Sequence, residues 1–151
     1  MNLDLRPAQL DELPDLSALC LRSKAYWGYD DAFMAACMTE LTLTPQDVAN
    51  DAVIVLEDSS GPAGVAHVCW EDNACYLDKL FVEPNCIGKG YGKTLYEWAL
   101  GAARNLGAQE LIIEADPDAA AFYARMGATR AGEVPSGSVA GRVLPRFIHP
   151  L

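Results

Sequence analysis

The sequence predicts an α+β fold: a mixed, mostly antiparallel central sheet with helices on both faces. Residues 53–82 hold three strand-like segments in a row, divided only by turn residues, which is the pattern of an antiparallel meander. From Tyr91 the apolar residues switch to helical spacing and then return to a short buried-type strand at 110–115. A strand, helix, strand passage of that kind pairs its strands in parallel. The chain has 151 residues, 51% of them apolar, enough for a core and against disorder. No repeat, linker or composition break divides it, so one domain over residues 1–151 is expected.

The elements follow in order. Residues 3–6 alternate apolar and polar, as a first strand does. Pro14 suits a first helical turn, and Leu13, Leu16, Leu19 and Cys20 give that helix an apolar stripe. The helix runs into a loop at 24–30 that carries Tyr26, Trp27 and Tyr29 around Gly28. Asp30 or Asp31 can cap a second helix bearing Phe33, Met34 and Cys37. Thr44 and Asp47 have the spacing of a capping box. Residues 53–57, 63–70 and 74–82 are the meander strands, with turns at 58–62 and 71–73. A long helix carries Leu95, Trp98, Ala99, Ala102 and Leu106 and stops at Gly107. After the strand at 110–115, Asp116 can cap a helix with Pro117 in its first position and Gly127 at its end. The tail reads as a loop of small residues over 134–142 and a short strand around 146–148.

Charge and cysteine usage exclude several classes. A net charge of −10 repels nucleic acid and is compatible with a cationic acceptor such as an amine. No apolar run reaches the ~18 residues of a membrane helix, and the first residues resemble neither a signal nor a transit peptide. A cytoplasmic protein is the expectation. The five cysteines form no C-x-x-C pair, so no metal is expected. Cys86 stands out by its position in a glycine-rich turn, whereas His67 and His149 are solitary and read as structural.

That turn carries the chemistry. Gly88, Gly90 and Gly92 alternate between the third meander strand and the long helix. Glycine lets a backbone bend sharply and approach a ligand closely. The start of a helix offers unpaired N–H groups and the positive end of its dipole. Together these suit phosphate oxygens, and Lys89 and Lys93 add positive charge. The spacing is not the dinucleotide fingerprint G-x-G-x-x-G, whose third glycine would fall at Lys93. Gly92, Lys93 and Thr94 match the end of the triphosphate loop G-x-x-x-x-G-K-S/T, but Ile87 stands where its first glycine belongs. A P-loop-like nucleotide-binding protein is thus an alternative, although a meander before the loop is foreign to a parallel triphosphatase sheet.

Residues 87–92 resemble the acetyl-coenzyme A loop of the GCN5-related N-acetyltransferase (GNAT) superfamily, Arg/Gln-x-x-Gly-x-Gly/Ala, with Ile87 in place of the usual Arg or Gln. Residues 116–128 resemble the helix after that superfamily's fifth strand, with Ala119, Phe122, Tyr123 and Gly127 in register, Asp116 at a frequent Asn and Ala128 at a usual Phe. The resemblance implies the GNAT-like acyl-CoA N-acyltransferase fold and direct transfer of an acetyl group from acetyl-CoA to an amine. It implies Tyr123 as general acid at the leaving thiolate, where the other reading is a core tyrosine. It implies amides near Leu80, Phe81 and Val82 as oxyanion donors and partners of the pantetheine arm. Ile87, Gly88, Lys89, Gly90, Tyr91, Gly92, Lys93 and Thr94 would hold the pyrophosphate. Family bases often lie on the strand that holds Asp78, which is either that base or an outward-facing charge; Tyr76 on the same strand could hold a water. Trp27, Tyr29 and the loop at 136–142 lie where the superfamily lines its acceptor side, for a small-molecule or peptide amine. The rival within the family is a silent acyl-CoA-binding member, and a homodimer is left open.

Overall fold

The computed structural model describes residues 3–151. Its strands are β1 (Asp4–Pro7), β2 (Ala52–Asp58), β3 (Gly61–Glu71), β4 (Ala74–Val82), β5 (Glu110–Glu114), β6 (Thr129–Pro135) and β7 (Val143–Pro150). They form one sheet in the order β1-β2-β3-β4-β5-β7-β6. The α-helices are α1 (Leu13–Ala25), α2 (Asp31–Leu41), α3 (Pro45–Asn50), α4 (Tyr91–Asn105) and α5 (Ala120–Arg125). Only the β4–β5 pairing is parallel. The fold is the mixed, mostly antiparallel sheet with helices that the sequence predicts.

Local signals set most of the boundaries. The Asp30 carboxylate accepts from Phe33 N at 2.8 Å and starts α2. Thr44 and Asp47 close a reciprocal capping box on α3. Asp72 and Asn73 both take positive φ, 50° and 63°, as a two-residue primed turn requires. One face of the sheet packs Val53, Val55 and Val65 against Leu13, Leu16, Leu19 and Cys20 of α1 and Cys37 and Leu41 of α2. The other packs Val68, Leu77, Leu111 and Ile113 against Tyr96, Ala99 and Ala103 of α4. Each fully buried aliphatic side chain contributes roughly 1.5–3 kcal/mol, and both faces are needed to bury β2 to β5.

The tail departs from expectation. Residues 129–135 form a seventh strand, β6, and the last strand spans Val143–Pro150, which shortens the loop to 136–142. β6 lies at the sheet edge and is exposed along nearly its whole length. It also carries Gly132 at φ 102° and a register irregularity between Arg130 and Glu133. A solvated, interrupted edge strand shows no apolar alternation, so pairing with β7 rather than its own pattern makes it a strand. The segment after Asp116 begins as a 3-10 turn, Pro117–Ala119, before α5.

Two irregularities shape the centre. β3 and β4 pair His67 with Lys79 and Val68 with Leu77, so Asp78 is an extra residue on β4. β4 and β5 pair at one position, Tyr76 with Ile112. Past Tyr76 the β5-facing edge of β4 has no strand partner among the described residues.

Candidate active site

A cavity of about 680 Å³ occupies the place where β4 and β5 part. Leu80, Phe81 and Val82 form one wall, and Asp78 lies on the same strand within it. Ile87, Gly88, Gly90, Tyr91, Gly92 and Lys93 line one end, with Arg125 adding a cation. Phe122 and Tyr123 of α5 lie between, and Trp27, Lys24, Asp116 and Arg142 line the other end. Lys89, Thr94, Tyr29 and Tyr76 are outside this lining.

The glycine loop follows a 3-10 turn at Pro84–Cys86, which Pro84 starts in its first position. Gly88 has φ 91° and Gly90 φ 83°, and a Cβ at either would meet nothing within 4 Å. Backbone conformation, not crowding, therefore asks for glycine there. Gly92 differs: a Cβ would lie 3.2 Å from the Phe122 ring, so its bare Cα lets α4 close on α5. The first bond of α4 runs from Thr94 N to Gly90 O at 3.2 Å. The amides of Gly92 and Lys93, ahead of it, have no intrahelical acceptor, and both residues line the cavity. Tyr91 turns its ring into the core and donates to Asp58 Oδ2 at 2.8 Å. Its phenol is pushed up to about 12 by that carboxylate and by burial. Two hydrogen bonds from Ser60 and the one from Tyr91 hold Asp58 at about 2. The loop is thus tethered to the turn between β2 and β3.

Tyr123 is buried but reaches the cavity. Its hydroxyl makes no hydrogen bond among the described residues, and its ring packs between Phe122, Tyr96 and Phe147 at centroid distances of 5.1, 5.9 and 6.1 Å. Burial, then Tyr96 and Asp116, push its pKa above the ordinary phenol value. The group is a fixed, protonated donor with no partner of its own.

Asp78 belongs to a polar cluster that the sequence did not reveal. Its Oδ2 accepts from Lys79 Nζ at 2.7 Å and lies 3.2 Å from His67 Nδ1. His67 Nε2 is 2.8 Å from Asp51 Oδ2. Lys79 and His67 are buried, at 4% and 3% exposure. Burial alone would raise the Asp78 carboxyl, but His67 and Lys79 outweigh it and hold the group at about 2. Asp47, Asp51 and His67 also bring ligand-type atoms within 4.8 Å of one another. Asp47 is engaged by Thr44 N at 2.9 Å and Asp51 by His67, so both carboxylates are satisfied within the protein.

At the other end Asp116 is a hub. It accepts from Lys24 Nζ at 2.5 Å, Tyr29 Oη at 2.9 Å and Arg142 Nη2 at 3.3 Å, and from Asp118 N at 2.8 Å. Arg142 Nη2 also donates to Tyr29 Oη at 2.7 Å. Burial alone would raise the Asp116 carboxyl, but Lys24, Asp118 N and Tyr29 lower it. Tyr29 stacks on Phe33 at 3.9 Å, beneath Arg142. Tyr29 therefore braces this end of the cavity from behind the lining. Spacing could not reveal this hub: Lys24 and Asp116 lie 92 positions apart, and Asp116 reads locally as a helix cap.

An opened parallel strand pair, a glycine turn at a helix start and a lone tyrosine hydroxyl share one cavity, the arrangement that the sequence resemblance implies for an acyltransferase. The chain belongs to the acetyltransferase (GNAT) family, whose model matches residues 19–128. Its fold is similar to that of a GCN5-related N-acetyltransferase from Rhodopseudomonas palustris, with TM-score 0.83 at 20% identity over 100% of this chain and 97% of that one. PaiA N-acetyltransferase from Thermoplasma acidophilum, solved in complex with coenzyme A, gives 0.82 at 16% identity over 100% of both chains. YncA from Salmonella typhimurium, solved with its cofactor acetyl-CoA, gives 0.69 at 18% identity over 99% of this chain and 94% of that one. At these identities the likeness is one of fold. No curated protein matches the chain.

Proposed function

We propose that the chain is an N-acetyltransferase that moves an acetyl group from acetyl-CoA to a primary amine by direct attack. The observation that carries this reading is a single cavity joining the glycine-turn amides, the unpaired edge of β4 and the Tyr123 hydroxyl. The residues present suit the cofactor: residues 87–93 would take the pyrophosphate through main-chain N–H groups, with Lys93 and Arg125 adding charge. The open edge of β4 at Leu80, Phe81 and Val82 would pair with the amide-bearing pantetheine arm as an added strand does. An N–H of that edge, aimed at the thioester carbonyl, would stabilise the oxyanion.

Each side chain then has a task. Tyr123, kept protonated by burial and without a competing acceptor, gives its proton to the departing thiolate. Asp78 accepts a hydrogen bond from the amine, directly or through water. Trp27 and the Lys24, Tyr29, Asp116 and Arg142 group bound the acceptor space, while Tyr76 holds the β4–β5 junction. The acceptor would be a small-molecule or peptide amine. The net charge of −10 disfavours nucleic acid. No helix among the described residues is long and apolar enough to cross a membrane. Five cysteines, all free, fit a reducing cytoplasm.

Thermal shift with acetyl-CoA, ATP–Mg and NAD in parallel tests the reading, followed by thiol release with an amine panel. A melting shift with acetyl-CoA and amine-dependent thiol release are expected. A shift with ATP–Mg alone would overturn the proposal. Cofactor binding with no turnover on any amine would leave a silent acyl-CoA-binding member.

A further inference from the structure

The unused chemistry of this fold lies behind Asp78. His67 sits on β3 with a carboxylate at each ring nitrogen, Asp51 at 2.8 Å from Nε2 and Asp78 at 3.2 Å from Nδ1. The Nδ1 contact is misaligned, and this atom is sealed from solvent without a hydrogen bond. Lys79, from the same bulge as Asp78, turns into the interior and meets Asp78 at 2.7 Å. The chain of groups runs from the cavity, where the Asp78 side chain is 39% exposed, to Asp51, which is 22% exposed.

The charges around this chain can be taken from every side. α3 and its end contribute Asp47 and Asp51, β3 contributes His67 and Cys69, β4 contributes Asp78 and Lys79, and α1 contributes Cys20. Burial pushes the Cys20 and Cys69 thiols up to about 12, so neither adds charge at neutral pH. A neutral imidazole between Asp51 and Asp78 would point a lone pair at one carboxylate, whereas an imidazolium offers each an N–H. Burial opposes the cation, but the two carboxylates outweigh it and raise the His67 pKa. With His67 charged, two cations, His67 and Lys79, face three carboxylates, Asp47, Asp51 and Asp78, and neither buried cation is left alone.

We propose that Asp51, His67 and Lys79 form a buried charge frame that fixes the Asp78 carboxylate at the cavity wall as the docking point for the acceptor's amine, with His67 as its positioning residue. This rests on the acetyltransferase reading above. A carboxylate held so low is a poor base for a primary ammonium, which titrates near ~10.4. Asp78 instead attracts the ammonium; once one proton has passed to water in the cavity, the carboxylate holds a remaining N–H so that the freed nitrogen lone pair faces the thioester.

Nuclear magnetic resonance tests the frame directly, because the chain has only two histidines. In wild type, His67 keeps its second proton to a higher pH than His149 does, and the Asp78 carboxyl stays ionised to well below the usual range. In His67→Gln the Asp78 carboxyl titrates higher by ~1 unit or more. With the best amine of the panel, KM for the amine rises roughly tenfold or more, the loss expected for a weakened charge-assisted contact. The acetyl-CoA melting shift and kcat change much less. If His67→Gln fails to fold, Asp51→Asn carries the same test: His67 then loses its second proton at lower pH. A His67 that loses its second proton at or below the ordinary imidazole range, or an Asp78 titration unmoved by these variants, overturns the frame. An absent acetyl-CoA shift in wild type would sink the enzyme reading while leaving the resonance result intact, so the two failures are distinct.

Discussion

The two ends of the cavity are built on different principles. The glycine end is main chain: positive φ at Gly88 and Gly90, a bare Cα at Gly92, and amides at the start of α4. Its one aromatic side chain, Tyr91, turns away toward Asp58. The opposite end is side chain: Lys24, Tyr29, Asp116 and Arg142, drawn from three distant segments and tied by charge. A backbone site binds whatever carries the right phosphates and tolerates change in its side chains. A side-chain site binds by its particular groups and changes whenever one of them does. The glycine end therefore suits the invariant partner, a coenzyme, and the charged end the variable one, an acceptor.

The sharpest way to break this contrast is Gly90→Val. A β-branched residue at φ 83° costs about 1–2 kcal/mol of backbone strain, and it re-aims the amides that follow. The fold, held by the two cores, survives by circular dichroism, while the acetyl-CoA melting shift disappears. Wild-type affinity in that variant would mean that side chains, not main chain, hold the diphosphate.

Tyr123→Phe sits between the two ends. The ring keeps its packing against Phe122 and Tyr96, and only the unpartnered hydroxyl is lost. A fall in kcat of roughly 10²-fold with little change in acetyl-CoA affinity is expected. An unchanged rate in stopped thiol-release assays would return Tyr123 to the core.

The same contrast explains what could be read from the chain. Spacing exposes the glycine end because its parts lie within seven consecutive positions, and the Phe122–Tyr123 pair because it stands a fixed distance beyond. The meander, α1 with its Leu13, Leu16, Leu19 and Cys20 stripe, and the caps at Asp30 and Thr44 are local, and all are where periodicity and capping rules put them. β6 has no local signal, being an exposed edge made by its partner. The Asp116 hub and the His67 frame are invisible for another reason. Each joins residues from strands and loops far apart in sequence, and each member has a bland local explanation as a cap, a surface charge or a core histidine. Long-range polar pairing leaves no period.

Asp116→Asn sharpens the acceptor side. Asparagine caps a helix about as well as aspartate, so the variant removes charge and spares the turn at Pro117–Ala119. Lys24 and Asp116 are 12% and 11% exposed at the side chain. Removing one partner of a pair that buried costs about 3 kcal/mol, measurable by chemical denaturation. The acetyl-CoA shift at the glycine end should persist while KM for the amine rises. Loss of cofactor binding in this variant would show that the two ends are not separable.

The smallest expected effect is the acid dependence of stability, and it divides the ends once more. Asp116, Asp78 and Asp58 all have folded pKa values below the ordinary carboxylate value. Below that ordinary value the unfolded chain takes up protons first, so stability falls as pH drops from about 4 toward about 2. Above that window all three are ionised in both states and the dependence vanishes. Asp116→Asn removes one of these groups without touching Asp58, which braces the glycine turn through Tyr91. Its melting temperature should therefore fall less steeply between those pH values than that of wild type, with the two curves running parallel at higher pH. Parallel curves throughout would mean that Asp116 titrates as an ordinary carboxylate, and the charged end would then be a surface feature rather than a wall of the site.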